Sequence, residues 1–230
     1  MLSYFRLLLK DLIARLPSRA CRLVLYVFNG GKALLELRIR TSRILWWWFG
    51  LGLLLLELLG VVEVYEGLAA IFKTNIRPLT EEEIQRAKPI FKDTINYRRV
   101  RIDERARLGP QQYQFCYVSF HTINSWGEMH DDVFIHELVH VWQYERFGAM
   151  YIAKALLAQR EEGYNYGGRS RLAKARELGG KLTDFNFEQQ ADIVMDYYRL
   201  ITGRSVRWGN ATLTDISEYV YFVDQLVKPS

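Results

Sequence analysis

His136, Glu137 and His140 fall within five consecutive residues, His136-Glu137-Leu138-Val139-His140, of a 230-residue chain that has four histidines in all. Residues four apart on a helix lie one above the other, so both imidazoles can present a ring nitrogen to a single metal ion. Glu137, beside the first histidine, reaches a water on that ion without being a ligand itself. The chemistry these residue types imply is activation of water by a divalent cation, with a carboxylate placed to take the proton.

A helix has to hold them. Asp131 and Asp132 put carboxylates where free amide donors and the helix dipole favour negative charge, and Gly148 supplies a stop. The pattern predicts a helix over about 132–147. Val133, Phe134, Ile135, Leu138, Val139, Val141 and Trp142 make it apolar nearly all round, which predicts burial. Two imidazoles and a carboxylate buried without partners would be costly, and a bound cation offsets that cost.

Two histidines do not complete a catalytic zinc site, which usually takes three protein ligands and keeps one position open. Glu188 and Asp192, four apart, share one face of a later helix that is bordered by Ile193, Val194 and Met195. On its own such a pair also reads as a solvated acidic face. Beside the histidine motif it reads as a third ligand, Glu188, with Asp192 able to hold the free ring nitrogen of a ligand histidine.

At this point the chain resembles the gluzincin zinc metallopeptidases, in which H-E-x-x-H is followed by E-x-x-x-D on a later helix. It looks closer still to small peptidase domains found with contractile injection systems and with Vgr- and Rhs-associated proteins. Leu79-Thr80-Glu81-Glu82-Glu83, Val100-Arg101-Ile102, His136 to Gln143 and Glu188 to Val194 carry that likeness, over about residues 78–200. The resemblance implies Zn2+ as cofactor, held by His136, His140 and Glu188, with Asp192 behind a histidine and Glu137 as general base in peptide-bond hydrolysis. It further implies a peptide or protein substrate, secretion-system components as partners, and a tyrosine or histidine that steadies the oxyanion. For that role Tyr166, in a glycine-flanked loop, is the first choice, with Tyr197 and His121 behind it. The interval from His140 to Glu188, 48 residues, is longer than in thermolysin, so thermolysin's substrate cleft is not carried over.

The rest of the chain suggests where such a site is displayed. The formal charge is +5, but residues 1–43 carry nine Lys/Arg against Asp11 and Glu36, so the remainder is net negative. No nucleic-acid motif accompanies the basic half, and basic residues among leucines suit an anionic lipid surface. Residues 1–28 read as short amphipathic helical pieces broken at Pro17 and at Asn29-Gly30-Gly31. Residues 44–62 form the longest apolar run. Trp46, Trp47 and Trp48 stand at one end beside Arg38, Arg40 and Arg43, and Glu57 stands toward the other. If that run crosses a membrane once, the cation bias keeps the N-terminus in the cytoplasm and puts the histidine motif on the outer side. Cys21 and Cys116 form no C-x-x-C pair and decide neither redox compartment nor a second metal site.

The expected organisation is a basic amphipathic segment (1–43), a hydrophobic helix acting as membrane anchor (44–72), and a zincin-like domain (73–230). The expected fold class is mainly α with a small antiparallel sheet. Thr80-x-x-Glu83 predicts a capped helix to about Phe91, and strands are predicted at 97–102 and 113–120, joined across Gly109-Pro110. Further helices are expected at 150–161, 172–178, 185–200 and 214–227, the last capped by Thr214. Two rival functions stay open: a membrane-anchored or secretion-associated zinc-binding module without turnover, and a delivered effector whose N-terminal region acts on membranes.

Overall fold

The computed structural model describes residues 2–35, 41–73, 75–107, 109–113 and 115–228. Three helices come first: α1 (Leu2–Leu35), α2 (Thr41–Leu58) and α3 (Val61–Phe72). Strand β1 (Ile76–Pro78), helix α4 (Glu81–Phe91), strand β2 (Arg101–Asp103), a single turn α5 (Pro110–Tyr113), and strands β3 (Tyr117–Ser119) and β4 (Thr122–Asn124) follow. The remainder is helical: α6 (Asp131–Phe147), α7 (Met150–Glu161), α8 (Gly168–Glu177), α9 (Phe187–Ile201) and α10 (Ile216–Val223).

The local capping rules place the helices that matter most. Thr80 accepts from the Glu83 amide while the Glu83 carboxylate accepts from the Thr80 amide, which closes the expected box at the start of α4. Asn186 and Gln189 close the equivalent box at the start of α9. Gly148 ends α6 at φ 71°, ψ −167°, a conformation that a side chain strongly disfavours. α6 and α9 then pack along one another through Ile135, Leu138, Val139, Ile193 and Val194, the centre of the core.

The sheet is mixed, not antiparallel. Its order is β1-β2-β4-β3, and β2 runs parallel to β4, with Ile102 opposite Ile123. The hairpin between β3 and β4 turns at Phe120, in the left-handed region at φ 59°, and β4 rather than β3 lies against β2. Each strand has three residues, too few for an alternating pattern to reveal β1 and β4 in the sequence. The expected strands at 97–102 and 113–120 shrink to Arg101–Asp103 and Tyr117–Ser119, and α5 occupies the Gly109-Pro110 link. The C-terminal helix likewise contracts to α10 between two short 3-10 turns, capped from Thr212 through Asp215 rather than from Thr214.

The N-terminal region departs furthest from expectation. α1 is one helix that continues through Pro17 and past Asn29, not two pieces. Arg19 explains its continuity. That side chain is 1% exposed, donates to the backbone oxygen of Glu57 and to both carboxylate oxygens of Glu63, and so fixes the middle of α1 against the ends of α2 and α3. Glu57, 2% exposed, also accepts from Arg22 and from the Ala149 amide at the end of α6. Arg99 joins Asp11 and Glu66, and His121 lies between Glu66 and Glu145. These buried charges tie α1–α3 to the sheet and to α6, and Val62 of α3 belongs to the main core.

Among the described residues no single helix is long and apolar enough to cross a membrane. Ile44–Leu58 with Val61–Phe72 together meet that length and composition, but they bend by 70° at the break. Gly60, at φ 75°, makes the bend. The expected anchor residues Arg38 and Arg40 and the side chain of Arg43 lie outside the described residues.

Candidate metal centre

Because α6 packs on α9, residues 48 apart in the chain meet. His136 Nε2 and His140 Nε2 lie 3.3 Å apart, and each is 3.4 Å from Glu188 Oε2. A tetrahedral ion with bonds of about 2.0 to 2.1 Å requires its donors to stand about 1.63 bond lengths apart, roughly 3.3 to 3.4 Å. The three donor atoms already have that separation. Among the described residues they form the one group of three or more such donors close enough to share an ion.

The hydrogen-bond partners decide which histidine nitrogens face the centre. Gln143 Nε2 donates to the Phe187 carbonyl oxygen, a partner that can only accept, so Oε1 of the same amide is the atom turned to His140. His140 Nδ1 lies 2.8 Å from that oxygen and must carry a proton, so Nε2, toward Glu188, is the nitrogen whose own proton a cation would replace. His136 Nδ1 lies 2.8 Å from Asp192 Oδ1, a close charge contact without an aligned hydrogen bond that likewise turns Nε2 toward the centre. Asp192 is itself held from a loop beyond α9: Trp208 Nε1 donates to Oδ2, and the Arg207 guanidinium stands 3.5 Å away. Gln159 of α7 donates to Glu188 Oε1 at 2.8 Å, so Oε2 is the oxygen left for the centre.

His136, Glu137, His140 and Glu188 are all buried, and two of their carboxylate oxygens lack partners. Glu137 Oε2 and Glu188 Oε2 are buried without a hydrogen bond. Burial penalises imidazolium, yet Asp192 and Glu188 outweigh it and push His136 up to about 10. For Glu188, burial opposes ionisation, but His140 and His136 hold its carboxyl well below the ordinary range. Burial raises Glu137, and the neighbouring histidines only partly offset it. The group is a compact set of opposed charges with unsatisfied atoms close together, a geometry able to hold a cation.

A cavity of about 1000 Å3 opens onto these residues. Cys116, Tyr117 and Val118 on and beside β3 form one wall. Tyr164, from the loop between α7 and α8, also lines it, its ring 6.1 Å from that of His136.

His136, Glu137, His140, Glu188 and Asp192 are thus brought together as the sequence implied. Tyr166 is not among them. Its hydroxyl is buried, donates to Asp196 at 2.7 Å and lies 3.0 Å from the Tyr219 hydroxyl. Asp196 in turn accepts from the amides of Arg207 and Trp208, so Tyr166 supports the loop behind Asp192. Gly167, at φ 87°, turns the chain after it, and Tyr164, two residues earlier, is the tyrosine of this loop that lines the cavity, together with Tyr117 and Tyr151. Tyr197 packs at the edge of the core and His121 is enclosed by carboxylates; neither lines the cavity. The sequence reading assigned no role to Gln143, Gln159, Arg207 or Trp208. Gln143 was accessible to it, since it stands three residues after His140 on the same face. The other three lie on separate elements with no spacing signal.

The chain is similar to a secretion spike protein. It is 29% identical over 140 residues to the type VI secretion system spike protein VgrG2b of Pseudomonas aeruginosa, a match to 53% of this chain and 13% of that protein's length. No family model and no solved structure matches the chain.

Proposed function

We propose that this chain is a zinc-dependent peptidase that works in association with a type VI secretion apparatus. One observation carries the catalytic reading: the triangle of His136, His140 and Glu188 donor atoms, at tetrahedral spacing, with the unpartnered Glu137 carboxylate beside it in an open cavity. Two imidazoles and one carboxylate suit zinc, and a set of three leaves one position for water or substrate. When bound, zinc draws the pKa of a coordinated water toward about 7 and polarises the scissile carbonyl.

The protein's own side chains do the remainder. Glu137 takes the proton from the attacking water and passes it to the leaving amine, and burial makes it a stronger base than an exposed glutamate. Asp192 and Gln143 keep both histidines with Nε2 turned inward. Tyr164 takes the role first given to Tyr166: burial keeps its phenol protonated, so its hydroxyl can donate to the oxyanion. β3 is the free edge strand of the sheet and walls the cavity, which suits an extended peptide pairing alongside it. The secretion setting rests on the partial likeness to the spike protein.

Glu137→Gln tests the reading. The variant should retain zinc and lose at least about 100-fold in cleavage of casein or a peptide library, the contribution expected of a positioned general base. Equal cleavage by the two forms would remove Glu137 as the base and overturn the reading, and none by either would favour the rival reading of a zinc-binding module without turnover.

A further inference from the structure

The first three helices are built inside out. Along α1, Leu9, Ile13, Leu16, Ala20, Val24 and Val27 recur at intervals of three and four and are all exposed, whereas the stripe turned to the protein holds Asp11, Arg15, Arg19 and Arg22. α2 exposes Leu55 and Leu56 and buries Glu57. α3 exposes Val64, Leu68 and Phe72 and buries Glu63 and Glu66. A helix at a water surface has the opposite polarity. Of the 26 large hydrophobic side chains exposed among the described residues, 19 belong to residues 1–72, under a third of the chain. Scattered exposed leucines need no explanation, but a continuous apolar layer over three helices marks a surface that something covers.

Charge and aromatic placement say what covers it. The acids of α2 and α3 are all turned inward onto arginines, so these two helices present no acidic side chain outward. Exposed Arg6 and Lys10 stand on the apolar side of α1, and the sequence of residues 1–43 has a large cationic excess. Trp46, Trp47 and Trp48 cluster at one end of α2, with Trp48 exposed, as at a headgroup boundary. Cations and tryptophans around an aliphatic face fit anionic lipid better than a second copy, whose matching cations would repel.

We infer that α1, α2 and α3 form an in-plane membrane-docking layer, seated in one leaflet of an anionic bilayer and not spanning it. Crossing is disfavoured because the bend at Gly60 and the charges on Glu57 return the chain to the protein at the end of α2. Docking is independent of the peptidase reading, since none of its residues lines the cavity.

The full chain should float with vesicles made of equal parts phosphatidylcholine and phosphatidylglycerol, bind phosphatidylcholine vesicles much more weakly, and lose binding as salt rises. Ile13→Asp and Val24→Asp should each lower partitioning at least about tenfold, the loss expected when one aliphatic side chain no longer buries. Arg6→Ser and Lys10→Ser should each lower it about fivefold. Because these positions are exposed, thermal midpoints of the lipid-free variants should match the parent, and that measurement separates lost docking from misfolding. Brominated acyl chains should quench tryptophan fluorescence, less so in Trp48→Phe. The inference is overturned by absence of flotation, by a lipid-free dimer that Val24→Asp splits into monomers, or by protection of one terminus from protease inside sealed vesicles, which would mean a true crossing.

Discussion

Zinc added to the metal-free protein should raise its thermal midpoint, and Asp192→Asn should cut that gain by an amount the geometry sets. With free zinc about a thousandfold above its Kd, ligand binding stabilises the folded state by about 4 kcal/mol. At this chain length each kcal/mol moves the midpoint by about 2 to 4 °C, so the gain is about 8 to 16 °C. Asp192 Oδ1 lies 2.8 Å from His136 Nδ1 and fixes the ring with Nε2 toward the centre. Removing such a partner weakens metal binding about 10- to 100-fold. That is about 1.4 to 2.7 kcal/mol, so the zinc-dependent gain should fall by about 3 to 11 °C at the same zinc concentration. Comparing gains rather than absolute midpoints removes any effect of the substitution on the metal-free fold. Scanning fluorimetry in buffered zinc, with a competing chromophoric chelator to read Kd directly, measures both quantities. Asp215→Asn, at a carboxylate paired with Arg169 far from the cluster, should leave the gain unchanged. No zinc-dependent shift in the parent protein, or an equal gain in Asp192→Asn, would refute the reasoning.

Other outcomes follow from the same contacts. Glu188→Ala should abolish stoichiometric zinc by metal analysis, since it removes one corner of the donor triangle. Tyr166→Phe should leave zinc content intact and lower stability by about 1 to 2 kcal/mol in chemical denaturation, because its hydroxyl bonds Asp196 and Tyr219 and not substrate. Gly148→Ala should lower the thermal midpoint by several degrees, as the residue sits at φ 71° and an added Cβ meets the Glu57 carboxylate and the Arg22 guanidinium. Burial alone would raise Glu66, but His121 and Arg99 outweigh it and hold its carboxyl at about 2, against an ordinary 4.5. A folded-state pKa below the unfolded one gives stability that is present above about pH 4.5 and lost as pH falls toward 2. Denaturation followed across that window should therefore show a steeper loss in the parent than in Glu66→Gln.

What the sequence determined by itself is whatever depends on spacing within one element. The i, i+4 relation of His136 and His140, the carboxylates and glycine that bound α6, the capping box of α4, and the shared face of Glu188 and Asp192 all follow from helical geometry and from a few residues' backbone preferences. Those forces act over a single turn, so a linear pattern records them. The tertiary structure decided the rest. The packing of α6 on α9 closed the donor triangle across 48 residues. The loop before α8 put Tyr164, and not Tyr166, at the cavity. Pairing of β2 with β4, on separate segments of the chain, gave the sheet its parallel pair. In the N-terminal region, charge and hydrophobicity were legible as composition, but which face turned inward was not. Arg19, Glu57 and Glu63 come from three helices, and only the tertiary packing brought them together in the interior with the leucines of the opposite faces outside.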